Sequence, residues 1–123
     1  MTADTKSKVD ADIRAILKEE MTMLKSKFPN QIFLPTIGNN DLLIHNQVPC
    51  DEEDSQIYYK ELFDIWFPEG QRPPNFNFLD ANETFTNGGY YRYDFPKSEL
   101  SFLAFNTMFF NIKNQCMFEK GEQ

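Results

Sequence analysis

Histidine is almost absent from this sequence, with His45 alone among 123 residues. Cysteine is nearly as scarce, and neither Cys50 nor Cys116 sits in a Cys-x-x-Cys pair or beside the histidine. Such spacing makes a poor zinc site. The two thiols leave a disulfide in an oxidising compartment and a reduced pair equally open. No apolar run approaches the roughly 20 residues that span a bilayer, and the opening Met-Thr-Ala-Asp-Thr-Lys has no apolar leader core. The chain as written is expected to carry neither a membrane span nor a secretion signal. Basic charge is also short: 12 Lys and Arg against 19 Asp and Glu give a net charge of −7. Such a balance repels nucleic acid and anionic lipid, so a polyanion would need a metal to be held. There is no internal repeat.

Apolar material is plentiful. The 41% hydrophobic content and 13 Phe exclude a disordered chain, and the length suits one domain, 1–123. Val9, Ile13, Ile16, Leu17, Met21, Leu24 and Phe28 recur at the three-to-four spacing of one helical stripe, predicting a helix over 8–28 that Pro29-Asn30 stops. Residues 31–37 read as a buried strand, with Pro35 marking an edge or early end. The acidic run 51–54 reads as an exposed loop that caps the next helix, without a catalytic role. Ile57, Tyr58, Leu62, Ile65 and Trp66 share a face and predict a helix over 55–67. Three prolines make 68–78 an irregular connection. Gly88-Gly89, a Tyr-rich run, a turn at Pro96-Lys97-Ser98-Glu99 and an apolar run to Phe105 predict a β-hairpin over 88–106.

The feature most open to chemistry is Gly38-Asn39-Asn40-Asp41, which follows the apolar run and precedes Leu42-Leu43-Ile44-His45-Asn46. Ligands of open α/β sheets gather beyond the carboxyl ends of strands, where this loop falls if 32–37 is a strand. Amide and carboxylate oxygens there suit a cation or the surroundings of a phosphate. Asn beside Gly also suits a plain turn or cap, and a lone His is often an ordinary surface residue. Asp41 is better placed to orient the loop than to ligate.

This block resembles the Gly-Asn-His-Asp/Glu block of the calcineurin-like metallophosphoesterases. It is closer to their endopolyphosphatase and acid sphingomyelinase-like phosphodiesterase branch, where Gly-Asn-Asn-Asp with a nearby His-Asn also occurs. Gly88-Gly89-Tyr90-Tyr91, a turn, and Leu100-Ser101-Phe102-Leu103-Ala104-Phe105-Asn106-Thr107 resemble the strand pair downstream of that block. The resemblance covers about 13–114. It implies an α/β (α+β) fold, part of a β-sandwich flanked by helices: helix, strand and metal loop over 31–47, helix, then hairpin. It also implies hydrolysis of a phosphate ester or polyphosphate by metal-activated water at a dinuclear Zn, Mn or Fe centre. Asn39 would be a metal ligand. Asn40 would stand where most of the superfamily has the histidine that approaches phosphate, and His45 would supply the acid that an amide cannot. The family's secreted, lysosomal or vacuolar habit agrees with the sequon Asn82-Glu83-Thr84.

The chain departs from the family where most ligands lie. Family ligands come from Asp-x-His, Gly-Asp-x-x-Asp, a later His and Gly-His-x-His, whereas this sequence has one His and no Gly-Asp. Only Asn39 maps, and one loop cannot furnish a two-metal centre. The expectation is a fragment that is inactive alone, holding divalent metal only within a complete fold, or none by itself. The alternative is a noncatalytic interaction module or pseudoenzyme, whose helix, hairpin and aromatic surface bind a partner or a separately encoded remainder. If a missing sheet once covered them, Phe102, Phe105, Phe109 and Phe110 should leave a patch open to aggregation, self-association or partner binding, which a self-sufficient module would cover. A third reading is a small α+β domain in which Gly-Asn-Asn-Asp is only a turn.

Overall fold

The structure, a computed structural model, describes residues 2–118 and is a mixed α+β arrangement of three helices and a two-stranded antiparallel sheet. Helix α1, Ala3–Lys27, starts where the Thr2 hydroxyl accepts from the Thr5 amide at 3.3 Å. It ends with Lys25 and Lys27 in the last turn, the favoured sign at the negative end of a helix dipole. Leu17 and Met21 are buried and Ile13 and Leu24 partly so, while Ile16 and Phe28 are exposed. The predicted stripe is thus buried along only part of its width. The helix also starts earlier than predicted, because Thr2 rather than a residue near Lys8 supplies the cap.

Helix α2, Glu52–Trp66, is the centre of the core. Asp51 caps it, its Oδ1 accepting from the amides of Glu53 and Asp54 at 2.9 and 3.2 Å, so the acidic run does cap the helix, but Glu52–Asp54 form its first turn rather than the expected loop and the helix starts before the predicted 55. Tyr58, Tyr59, Leu62, Phe63 and Trp66 are buried. Phe63 lies 5.1 to 6.2 Å, centroid to centroid, from Phe67, Phe76, Phe78 and Phe85. Such ring pairs add about 0.5–1.5 kcal/mol each beyond their area burial.

Helix α3, Phe78–Gly88, has no counterpart in the sequence reading, which leaves 79–87 unassigned. Its Asn, Thr and Gly content is poor in helix propensity. Packing decides instead: Ala81 and Phe85 are buried against α2, and Asn77 caps the start. Gly89 follows at φ +69°, and a Cβ there would come within 2.6 Å of Ile37 Cδ1 and 2.9 Å of Asn106 Nδ2. Left-handed backbone and close packing both require glycine. The sequon therefore lies in a helix with Asn82 half-buried, not in the surface loop usual for such sites.

Strands β1, Tyr91–Asp94, and β2, Ser101–Ala104, form the expected hairpin, in register Tyr91 to Ala104 and Asp94 to Ser101. It is narrower than 88–106 because Gly88 ends α3 and Gly89 caps it. Tyr91, Tyr93 and Ala104 face the core, and Arg92, Asp94, Ser101 and Leu103 face out. Two 3-10 turns, Thr107–Phe110 and Gln115–Phe118, close the described chain.

One expectation fails outright: residues 31–37 form no strand. A strand exists only as part of a ladder, and no neighbouring segment among the described residues pairs with this one. Cys50 and Cys116 form a disulfide, with Cα atoms 5.0 Å apart, resolving the alternatives left by the sequence.

Candidate functional site

The 38–50 loop is shaped by its own polar side chains. Asp41 Oδ2 accepts from the Gly38 amide at 2.7 Å, and the Asp41 amide donates back to the Gly38 carbonyl at 3.3 Å. This closed turn is the orienting role expected of Asp41. Five residues on, Asn46 takes a left-handed φ of +67° and its amide donates to the Asn39 carbonyl at 3.4 Å, while Gln47 donates to Ile44 at 2.9 Å. Asn tolerates that conformation better than most residues. Leu42 and Val48 are buried, so the loop is anchored apolar on either side of its exposed tip.

Closure brings together two predicted site residues. Asn39 Nδ2 lies 2.7 Å from His45 Nε2, and both side chains are exposed. With the amide nitrogen donating, neutral His45 carries its proton on Nδ1, and Asn39 keeps its oxygen out of the contact. Asn40 is also exposed and makes no side-chain hydrogen bond among the described residues. It does not join the Asn39–His45 pair.

Long-range ties hold the loop in place. Asn111 Nδ2 donates to Asn46 Oδ1 at 3.2 Å, and Cys116 Sγ lies 3.2 Å from the Val48 carbonyl beside its disulfide to Cys50. The Tyr91 hydroxyl, from β1, donates to the Pro35 carbonyl at 2.8 Å and fixes the chain entering the loop. Burial pushes the Tyr91 phenol up, so it stays a donor through neutral pH. Buried Asn106 secures the hairpin end, donating to Tyr59 Oη at 3.1 Å and to the Gly88 carbonyl at 3.3 Å. These partners escaped the sequence reading. The asparagines between 106 and 114 carried a signal only as polar residues within an apolar segment.

A cavity of about 390 Å³ borders the loop, lined in part by Asp10, Arg14, Leu43, Ile44 and Tyr58. Arg14 pairs with Asp10 and with Glu61. The buried Tyr58 hydroxyl has no hydrogen-bond partner there, and its phenol is pushed up first by burial and then by the carboxylates of Asp41 and Asp10.

The donors do not complete a metal centre. Among the described residues no three His, Cys, Asp or Glu side chains gather as a metal-holding group. Asn39 and His45 supply an amide oxygen and an imidazole, and Asp41 is occupied by Gly38. What the loop offers is an exposed polar edge. No helix among the described residues is long and apolar enough to cross a membrane.

Comparison with known proteins gives a distant relationship to a phosphodiesterase. The chain is 31% identical over 107 residues to a protein named sphingomyelinase phosphodiesterase D from Dictyostelium discoideum, the match covering 82% of this chain and 21% of that protein. The chain thus spans about a fifth of the length of the curated relative it matches. No family model matches it. No solved structure matches it either.

Proposed function

We propose that this chain forms one edge of the catalytic domain of a metal-dependent phosphoesterase of the calcineurin-like class, hydrolysing a phosphodiester or polyphosphate. The observation that carries the reading is the Asn39–His45 pair on an open loop of a chain distantly related to a phosphodiesterase. Asn39 would be a metal ligand through its oxygen, its nitrogen already being committed to His45. The other ligands of a Zn, Mn or Fe pair would come from outside the described residues, so the chain alone is inactive. When bound, such metals supply an activated water and neutralise charge building on phosphorus.

The chain's own contribution is positional and protonic. Asn40, exposed beside the pair, would donate a hydrogen bond to a phosphate oxygen but cannot transfer a proton. His45 would act as the acid only as imidazolium, with Nε2–H turned away from the Asn39 amide nitrogen and the Nδ1 proton passing to a leaving oxygen, which leaves the ring neutral. Asp41 keeps the loop closed under both.

The test is turnover of bis-p-nitrophenyl phosphate and polyphosphate with added Mn, Co or Zn, alongside metal content. The chain alone should show neither turnover nor tight metal. The Dictyostelium relative carrying this chain in place of its matched segment should turn over substrate and lose about 10²–10⁴-fold of its rate on His45→Ala, the usual worth of a general acid. Full rate in that variant would sink the assignment. Turnover by the chain alone, abolished in Asn39→Ala, would overturn its inactivity.

A second reading, a noncatalytic interaction module, draws on exposed Phe105, Phe110 and Ile112 near the hairpin end. Phe102 and Phe109 are partly buried against the core, so the proposed patch is smaller than four phenylalanines. Concentration-dependent self-association lost in Phe110→Ser would favour it.

A further inference from the structure

The cavity of about 390 Å³ walled by α1, the 43–51 stretch and α2 falls within the range of about 300–1,000 Å³ that small ligands occupy. Two of the residues that line it carry a buried oxygen with no hydrogen-bond partner among the described residues, Asp10 Oδ1 and Tyr58 Oη. Tyr58 is only 3% exposed. The Tyr58 phenol is raised by burial, then by Asp41 and Asp10, so the Asp10 carboxylate lies within electrostatic reach of it although no hydrogen bond joins the two. Buried polar groups are nearly always paired, so two orphan oxygens in one wall leave a place for a donor.

The charge around the cavity has one sign in excess. Asp10, Asp51 and Asp54 line it against a single guanidinium, that of Arg14, and the start of α2 adds only about half a positive charge. Arg14 Nε is unpartnered as well, but the two terminal nitrogens are taken by Asp10 and Glu61, so the charge of Arg14 is already met. An anion would find no free cation here, whereas a cation would find carboxylates. The rest of the lining is apolar. Ile44 and Ile57 are about half exposed and Leu43 packs against the core beside them, which leaves a greasy rim around a polar wall.

We propose that this cavity is a binding site for a small primary amine with an apolar body, its ammonium donating to Asp10 Oδ1 and Tyr58 Oη and its apolar part covering Ile44 and Ile57. The hydrogen-bond acceptors decide the degree of substitution, because a quaternary ammonium has the charge but no N–H to give. The apolar rim decides the body, since polar groups set against the two isoleucines would lose water without a partner. The inference does not rest on the phosphoesterase reading, and its readout is not catalysis.

Titration of the chain with phenethylammonium, followed by NMR, tests it. Shifts at Ile44, Ile57 and Tyr58 should saturate with a Kd of about 1 mM or below, and Phe85 should stay fixed. Neutral 2-phenylethanol, anionic phenylacetate and the N-trimethylated amine should each bind at least about 10-fold more weakly. Absence of a saturable shift would overturn the site. Equal binding of the alcohol, or tighter binding of the carboxylate, would overturn the charge assignment, and equal binding of the trimethylated amine would overturn the two hydrogen bonds. Nα-acetyl-lysine amide offers the same ammonium on a polar peptide stem and should also be about 10-fold weaker; tighter binding there would assign the cavity to a lysine side chain of another polypeptide instead. Asp10→Asn should weaken phenethylammonium by about 10-fold and leave the alcohol unchanged. Should that variant fail to fold, Ile57→Ser at the half-exposed rim decides, with about 5-fold weaker binding expected and unchanged binding refuting the apolar contact.

Discussion

The aromatic core and the 38–50 loop are built on opposite plans. The core depends on many equivalent contacts: Phe63, Phe67, Phe76, Phe85 and Tyr91 each touch several other rings, so its shape follows from volume. The loop depends on few, unlike contacts, among them one carboxylate, one left-handed asparagine, one side-chain pair and one disulfide. The difference teaches where function can vary. Side chains at the loop tip can change without touching the core, whereas a change in the core reaches the loop through Tyr91 and Pro35.

The largest test of that separation is Phe85→Ala. It opens a cavity among Tyr59, Phe63, Trp66 and Tyr91 and should cost about 3–5 kcal/mol, read by denaturant unfolding. Next is Cys50→Ser, expected to cost about 2–4 kcal/mol, the usual worth of a native disulfide. Its NMR shifts should move at Asn39, His45 and Asn46 and stay fixed at Phe63 and Phe85. Uniform shifts throughout would show that loop and core are one unit.

A pH series sharpens the comparison from the core side. Burial raises the phenols of Tyr58, Tyr59 and Tyr91, that of Tyr59 to about 12. Their folded values stand above the unfolded value of about 10. The stability they contribute is therefore complete below pH ~10 and lost as pH rises through the folded values. The melting temperature should fall across that alkaline window, with tyrosinate absorbance appearing on unfolding. Tyrosinate that forms fully in the folded protein near pH 10 would refute the burial. The smallest effect belongs to His45→Ala, which should change stability by about 0.5 kcal/mol or less because the ring is exposed.

The sequence disclosed the elements whose signals are local. Helix α2 showed itself through an apolar stripe behind an acidic cap, and the hairpin through tyrosines, a turn and an apolar return. Helix α3 was hidden because Asn, Thr and Gly argue against a helix, and only the burial of Ala81 and Phe85 outweighs them. Residues 32–37 misled for the opposite reason: their composition is strand-like, but pairing is a property of two segments. In the loop, Gly38, Asn39 and Asp41 stood out by type. The meeting of Asn39 with His45 did not, since it depends on the left-handed turn at Asn46 and on ties from residues 111 and 116.

Those ties also set an order of assembly. The partners of Asn46 and Cys50 are Asn111 and Cys116, and the two cysteines are 66 positions apart. A ribosome adding about 5–20 residues per second delivers Cys116 several seconds after the loop itself has been made. Helices α2 and α3 and the hairpin emerge in between, so the growing chain can build its interior before the polar tip acquires its final outline.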